Sequence, residues 1–354
     1  MVKAGIFRRP AIPLVVAVMM ISAACGGGSA ASDAPLAPSA PVTPEWQRII
    51  DAAKTEGTVA VYSSQGSDQL NDLAKRFEAA YGIKVDVLRD VDANLEAKVD
   101  AERTSGQPIA DVLAIADGAY VTAKGKEGWW VAPTGPDFQV PAFDRSRYVA
   151  EDGSFVSSAA VFVPAWNTQS LPEGIRSYAD LLNPKLAGKI GVNDPAVSPA
   201  VVDFYAYLQE QNGPNYVDEL AALKPQIFAS VLPMGQALTA GQIWAVVGGG
   251  APLDEKEQGA PVDFFVPNPV WGALFRTAVL ANAPHPNAAQ LFANFMVTAE
   301  GQDAIAHEAA SVLPDIPSAV ANVAAVRAFD PASLDAEKIE QFRAEFRQKF
   351  QGGA

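Results

Sequence analysis

Apolar residues recur along this chain in two alternating rhythms. In "SDQLNDLAKRFEAAYG", Leu70, Leu73, Phe77 and Ala80 share one face of a 3.6-residue period; Ser67 or Asp68 caps its start and Gly82 stops it, which predicts a helix. A short helix, "PEWQRIIDAAKTEG", comes earlier and ends at Gly57. The intervening "TVAVYSS" and the later "IKVDVLRD" have the composition and alternation of strands. Strand, helix, strand units build parallel sheets, because parallel neighbours need a crossover and a helix supplies it. The pattern continues with a helix from about Ala93 to Gly106, a buried strand "ADVLAIAD", a helix "GAYVTAKGKEG" and an extended, Pro-rich stretch. A second set begins near Ser157: strand "SSAAVFVPAWN", helix "SYADLLNP", strand "GKIGVND", helices "SPAVVDFYAYLQEQNG" and "NYVDELAALKP", loop "FASVLPM", helix "GQALTAGQ" and strand "IWAVVGGG". Helices around "NAAQLFANFMVTAEGQDAIAHEA" and "LDAEKIEQFRAEFRQKF" close the chain; the last carries Ile339, Phe342, Phe346 and Phe350 at helical spacing and is expected to pack on the second set. Two α/β lobes follow from this order, with strand ends feeding loops toward a shared crevice where such sheets collect ligands.

The N-terminal end changes the picture. A basic head (Lys3, Arg8, Arg9) precedes an apolar run from about Ala11 to Ala24, a secretory signal too short to serve as a permanent span. The single cysteine, Cys25, follows Ser22, Ala23 and Ala24, small residues of the kind signal peptidase cuts after, and this resembles a lipoprotein signal in which Cys25 becomes the lipidated N-terminus, although Ser22 stands where Leu is usual. With no second cysteine, disulfides take no part in stability. Residues 25–44, rich in Gly, Ser, Ala and Pro, read as a flexible tether after a signal at 1–24. The net charge is −14, and removing the signal makes the chain more acidic, which disfavours nucleic acid as a partner. The remaining 300 or so residues are enough for two compact lobes.

Five stretches, "EGTVAVYSSQGSDQLNDLAKRFEAAYGIKVDVL", "SGQPIADVLAIADGA", "SYADLLNPKLAGKIGVNDPAVS", "ALTAGQIWAVVG" and "NAPHPNAAQLFANFMVTAEGQDAI", resemble in collinear order the extracellular solute-binding proteins of ABC importers. The resemblance is to the branch that binds ferric iron, thiamine and phosphonates, and runs from about Gly57 to Leu313. It implies an α/β, two-lobed type II periplasmic-binding-protein fold with a hinge and an interlobe ligand cleft. The expected division is an N-terminal lobe of 45–157 and 265–320, a C-terminal lobe of 158–264, and a C-terminal helical segment, 321–354, on the second lobe. Crossings are expected near Phe155 to Ala160 and near Phe264 to Val270.

The resemblance also implies site residues. Ser63, Ser64 and Gln65 follow the first strand beside a helix start that suits an anion, although the serines also suit plain capping. Asp117 ends a strand at the same rim, with the same alternative. In the second lobe "DPAVSPA" matches a turn that puts Ser198 at a helix start, but Pro199 removes one donor there. Ser230 matches a cleft-lining serine; Met234, more a core filler, and Gln236 follow it. In ferric binders the strand resembling "GQIWAVV" runs into paired tyrosines, whereas here those positions are Ala251 and Pro252 after Gly248, Gly249 and Gly250. Neither can hold iron, and His285 and His307 lie late in the chain, so no metal site and no cofactor are expected. Gly249 and Gly250 either leave room for an organic ligand or make a turn. Trp166, Trp244 and Trp271 are candidates to stack on such a ligand, Trp271 foremost, or to pack as core.

The expected function is capture of a small organic anion bearing phosphonate, phosphate or carboxylate, by a monomeric, lipid-anchored receptor on the outer face of the membrane that docks on an ABC permease. Ferric iron or an iron chelate is the alternative cargo. A hydrolytic enzyme would need parts that are missing: no cysteine lies in the body, and neither an H-x-x-x-H spacing nor a G-x-S-x-G is present, which leaves only carboxylates paired in space. A sensor receptor without transport would share every feature above.

Overall fold

The computed structural model describes residues 39–330 and 334–352. The signal at 1–24, Cys25 and the tether as far as residue 38 lie outside them. Among the described residues no helix is long and apolar enough to cross a membrane.

The chain runs α1 (Pro44–Glu56), β1 (Thr58–Ser63), α2 (Ser67–Tyr81), β2 (Lys84–Arg89), α3 (Asp92–Ser105), β3 (Val112–Ile115), α4 (Gly118–Lys126), β4 (Trp130–Val131), α5 (Arg145–Tyr148) and the long β5 (Phe155–Asn167). It continues through β6 (Ile190–Asn193), α6 (Pro199–Asn212), α7 (Tyr216–Ala222), β7 (Gln226–Phe228), α8 (Val231–Thr239), β8 (Ala245–Gly249), α9 (Leu253–Glu257) and β9 (Val262–Phe264). It then returns through β10 (Val270–Leu280), α10 (Pro286–Met296), α11 (Ala299–Ile305), β11 (Ala310–Ser311), β12 (Ala321–Asn322), β13 (Val326–Ala328) and α12 (Ala336–Phe346). Local chemistry sets several of these ends. Thr43 accepts the Trp46 N–H at 3.1 Å to open α1 ahead of Pro44, and Gly57, Gly82 and Gly106 close α1, α2 and α3 in the left-handed region where glycine is unpenalised. Thr298 restarts the chain as α11 after α10, so the region read as one late helix is two.

The principal strand order is β2-β1-β3-β10-β5-β8-β6-β7. The strands β1, β2 and β3 are parallel, as are β6, β7 and β8, while β10 and β5 run antiparallel through the middle. Strand β5 belongs to both halves: Phe155 to Phe162 pair with β10, and Val163 to Asn167 pair with β8 and β9. The register breaks between Val163 and Ala165, around Pro164, which has no N–H to give a ladder. The change of partner strand thus comes just after Phe162, later than the crossing expected near Phe155 to Ala160. The return connection spans 265–269, between β9 and β10.

Each half has its own core. In the first, Phe77 meets Phe292 and Phe295 with ring centres 5.1 and 5.6 Å apart. In the second, Phe204 packs on Phe162 at 5.2 Å and Trp271 at 5.4 Å. Helix α12 lays Phe342 and Phe346 on Tyr205 of α6 at 5.4 and 5.3 Å, and Phe346 is 2% exposed. Burying such a ring contributes roughly 2–3 kcal/mol. The segment from 321 onward is not helical at its start: β13 lies parallel to β10 before α12 begins. The stretch "FASVLPM" is also not all loop. Val231 begins α8, and Pro233 fits the first turn because N–H groups there have no intrahelical partner.

Candidate functional site

Parallel strands deliver their carboxyl ends to one edge, and the loop after β1 lies on that edge. Ser63 is fully buried, donating to the Ala114 carbonyl at 3.0 Å and to Gln65 Oε1 at 3.2 Å. Gln65 is 2% exposed and donates from Nε2 to Ser158 Oγ at 2.8 Å, which ties the loop to β5. Both side chains are thus spent on holding the loop, not on a ligand. Ser64 differs: its backbone N–H donates to Ala114, but its Oγ is closed to solvent and has no partner. Helix α2 starts just beyond with Gly66 as N-cap and no side chain capping its first turn. Arg89, exposed at the end of β2, donates to the Gln65 carbonyl at 3.3 Å.

A second candidate surface comes from β8 and α8. A cavity of about 520 Å³ is lined by Gly249, Gly250, Ala251, Pro252, Gln236, the α8 residues Val231 and Leu232, and, from the first half of the molecule, Glu308. The three glycines have different reasons to be glycine. A Cβ on Gly248 would stand 2.3 Å from the Phe204 ring, so Gly248 is demanded by the core; one on Gly250 would meet nothing within 4 Å. Gly249 is intermediate, with Val246 at 3.4 Å.

Several sequence candidates are structural. Ser198 caps α6 by accepting the Ala200 N–H at 3.1 Å, and Ser230 caps α8 through the Leu232 N–H at 3.4 Å. Asp117 caps α4, accepting from Ala119 and Tyr120 at 2.9 Å each. It adjoins a different cavity, of about 470 Å³, lined by Gly118, Lys126 and Arg276 among others. Trp271 does not stack on a ligand: it is 2% exposed, wedged against Phe162 and Phe204, and its indole N–H donates to buried Asp203 at 2.7 Å. Met234 is fully buried yet also borders the larger cavity. Of the candidates, Gln236, Gly249 and Gly250 share one cavity, whereas Ser63, Ser64, Gln65, Ser198, Asp117 and Trp271 are not part of its lining.

Three groups, Asp254, Glu255 and Glu308, have no place among the sequence candidates, and His307, set aside there, joins them. The His307 carbonyl accepts from Gln69 Nε2 at 3.3 Å, which brings the turn after α11 against the start of α2. His307 Nε2 lies 2.8 Å from Asp254 Oδ1, and Glu308 Oε1 accepts the Asp254 N–H at 2.9 Å. Glu255 joins Glu308 on the cavity lining. Burial, chiefly, and then the carboxylates of Glu255 and Asp254 push the Glu308 carboxyl up, against the pull of the Asp254 N–H and His307. Roughly fifty residues separate the two stretches, so no spacing signal exists along the chain.

Near Asp117, Glu96 is raised to about 7, first by burial and then by the carboxylates of Asp117, Asp92 and Asp100. A carboxyl raised on folding favours the folded state below its unfolded value, and that contribution is lost as pH climbs through about 7. Glu96→Gln will therefore leave stability unchanged at pH 4 and increase it at pH 8, by about 1 kcal/mol after allowance for solvent screening of a half-exposed group. Urea midpoints of the two proteins at both pH values check this; equal midpoints at pH 8 would refute it.

Three likenesses bear on this arrangement. A Haemophilus influenzae protein described as uncharacterized is 26% identical over 272 residues, covering 72% of this chain and 77% of the relative. The iron-bound HitA of Pseudomonas aeruginosa superposes with a TM-score of 0.56 at 19% identity, over 84% of this chain and 99% of that one. AfuA of Actinobacillus pleuropneumoniae, with fructose-6-phosphate bound, gives 0.55 at 24%, over 83% and 99%. AfuA is a periplasmic binding protein, and both solved proteins share the mixed α/β fold seen here. Residues 59–308, which hold the loop after β1, the glycine wall and the turn at His307, match the family of bacterial extracellular solute-binding proteins, and the chain belongs to that family of exported receptors, which present small solutes to ABC permeases.

Proposed function

We propose that this receptor captures a small organic solute carrying a phosphate, phosphonate or carboxylate group, between the loop after β1 and the wall of Gly249 to Pro252. The observation that carries the reading is Ser64: a hydroxyl closed to water and without a partner, beside a helix start that no side chain caps. A buried hydroxyl left unpaired costs about 1–3 kcal/mol, which a ligand oxygen would relieve. The α2 N-terminus adds partial positive charge and Arg89 a full one nearby. Across the crevice the open space at Gly250 and the exposed Val231 and Leu232 suit the apolar or hydroxylated body of such a solute.

Related folds carry unlike cargo, iron in HitA and fructose-6-phosphate in AfuA. Ala251 and Pro252 offer no oxygen side chain where ferric binders of the resembled branch have tyrosines, which favours the organic cargo. Our reading of the mechanism is hinge closure: the lobes, 45–157 with 265–320 and 158–264, swing about the crossings of β5 and of 265–269 when one ligand touches both. Closure requires that the ligand bind the closed form better than the open one. The same reading takes the chain as a monomeric, non-catalytic receptor held to the outer face of the membrane through Cys25.

Thermal-shift screening of the purified chain against sugar phosphates, phosphonates, carboxylates, ferric citrate and free ferric ion tests the cargo. A saturable shift with an organic anion is expected, together with compaction on small-angle scattering. Ser64→Ala should weaken that ligand about tenfold, the value of one good hydrogen bond to a charged group. A response to free ferric ion alone, or undiminished affinity in Ser64→Ala, would overturn the proposal.

A further inference from the structure

At the mouth of the same cavity, the pairing of α9 with the turn after α11 has a composition unlike an ordinary contact between lobes. Asp254, His307 and Glu308 each offer one donor atom, and the three atoms lie within 4.8 Å of one another. Donors on adjacent corners of a metal with bonds of about 2.1 Å stand roughly 3.0–3.4 Å apart, so only small side-chain movements separate this arrangement from a coordination shell. His307 Nε2 and Asp254 Oδ1 are already 2.8 Å apart.

The backbones carrying these donors are anchored independently. The Glu308 N–H donates to the Ser318 carbonyl at 2.9 Å, and the His307 carbonyl accepts from Gln69. Glu308 uses Oε1 on the Asp254 N–H, which leaves its other oxygen to coordinate. The local charge is also unbalanced. Asp254, Glu255 and Glu308 crowd together, and the one lysine of α9, Lys256, is engaged with Asp263 at 2.7 Å. Three carboxylates facing one imidazole form a surface that a cation stabilises.

We propose that Asp254, His307 and Glu308 bind one divalent transition-metal ion of the zinc class, fastening α9 to the turn after α11. One imidazole nitrogen with two carboxylate oxygens suits such borderline ions better than calcium or magnesium, which prefer oxygen alone. Three protein donors leave at least one coordination position open. The site borders the cavity through Glu308 but uses no residue of the Ser64 loop or of the wall of Gly249 to Pro252.

The test is titration of the EDTA-treated, dialysed chain with Zn²⁺ by calorimetry and with Co²⁺ by its visible d–d absorption. One ion per chain with micromolar or tighter affinity is expected. His307→Gln and Asp254→Asn should each weaken it by tenfold or more, with unchanged far-ultraviolet circular dichroism; Glu308→Gln serves if either variant does not fold. Absence of a saturable heat and of a Co²⁺ band, or equal affinity in the folded variants, would sink the proposal. Solute capture is measured on the EDTA-treated chain, so that the cargo reading stands or falls with no metal bound while the Zn²⁺ and Co²⁺ titrations alone decide this site.

Discussion

Gly250→Phe will abolish solute capture at nearly unchanged stability, whereas Gly248→Ala, two residues earlier, will destabilise the protein. A Cβ at 250 has no neighbour within 4 Å, and the residue lines the cavity, so a benzyl group starting there takes space the ligand needs and is expected to leave the core in place. Loss of at least a hundredfold in affinity is expected, about 2.7 kcal/mol. At 248 even a methyl group falls 2.3 Å from Phe204, itself 1% exposed and locked against Phe162 and Trp271. Overpacking of this kind costs typically 1–3 kcal/mol. Calorimetric titration with the ligand found by screening and a melting curve for each variant separate the two effects. Wild-type affinity in Gly250→Phe would show that the glycine wall is not in contact with ligand, and an unshifted melting curve in Gly248→Ala would show that the Phe204 ring gives way freely.

The largest effect on stability is expected at Asp203. This carboxylate is 1% exposed on α6 and accepts the Trp271 indole N–H from β10 at 2.7 Å; it also pairs closely with Arg327 of β13, which reaches Glu210 at 2.8 Å. One side chain thus joins three elements where the C-terminal segment returns to the sheet. Asp203→Ala strands a buried indole N–H and leaves Arg327 with only its exposed partner, at a cost of about 3–5 kcal/mol. Against a usual total of about 5–15 kcal/mol, that is a large share, and a fall in melting temperature on the order of 10 °C is expected. Combining Asp203→Ala with Arg327→Met should recover part of the loss, because the second change removes the unpaired cation. A double variant as unstable as the sum of the singles would mean that the two groups do not act as a pair.

Much of this was legible from local pattern. The first helices begin and end where capping residues and glycines put them, since Gly57, Gly82 and Gly106 sit in the left-handed region that only glycine enters without strain. The strand and helix alternation, and the resemblance built on it, led to the right family. The candidate serines were a mixed set, because Ser is favoured both at ligand-binding helix starts and at plain caps; Ser198 and Ser230 cap, and Ser64 alone is left without a partner among them.

Sequence by itself determined the two-part α/β order, the acidic charge, and the identity of residues able to cap, turn or strand a helix, all properties of windows a few residues wide. Tertiary structure decided what those windows could not hold. It set the change of partner strand at Pro164, since Phe155 to Phe162 and Val163 to Asn167 have the same strand character and differ only in which neighbours they pair with. It assigned different duties to three identical glycines, because a ring on α6 presses on Gly248 and open space faces Gly250. It turned Trp271 inward and brought His307 and Glu308 onto Asp254, contacts across many tens of residues that arise only when hydrophobic burial closes the chain on itself.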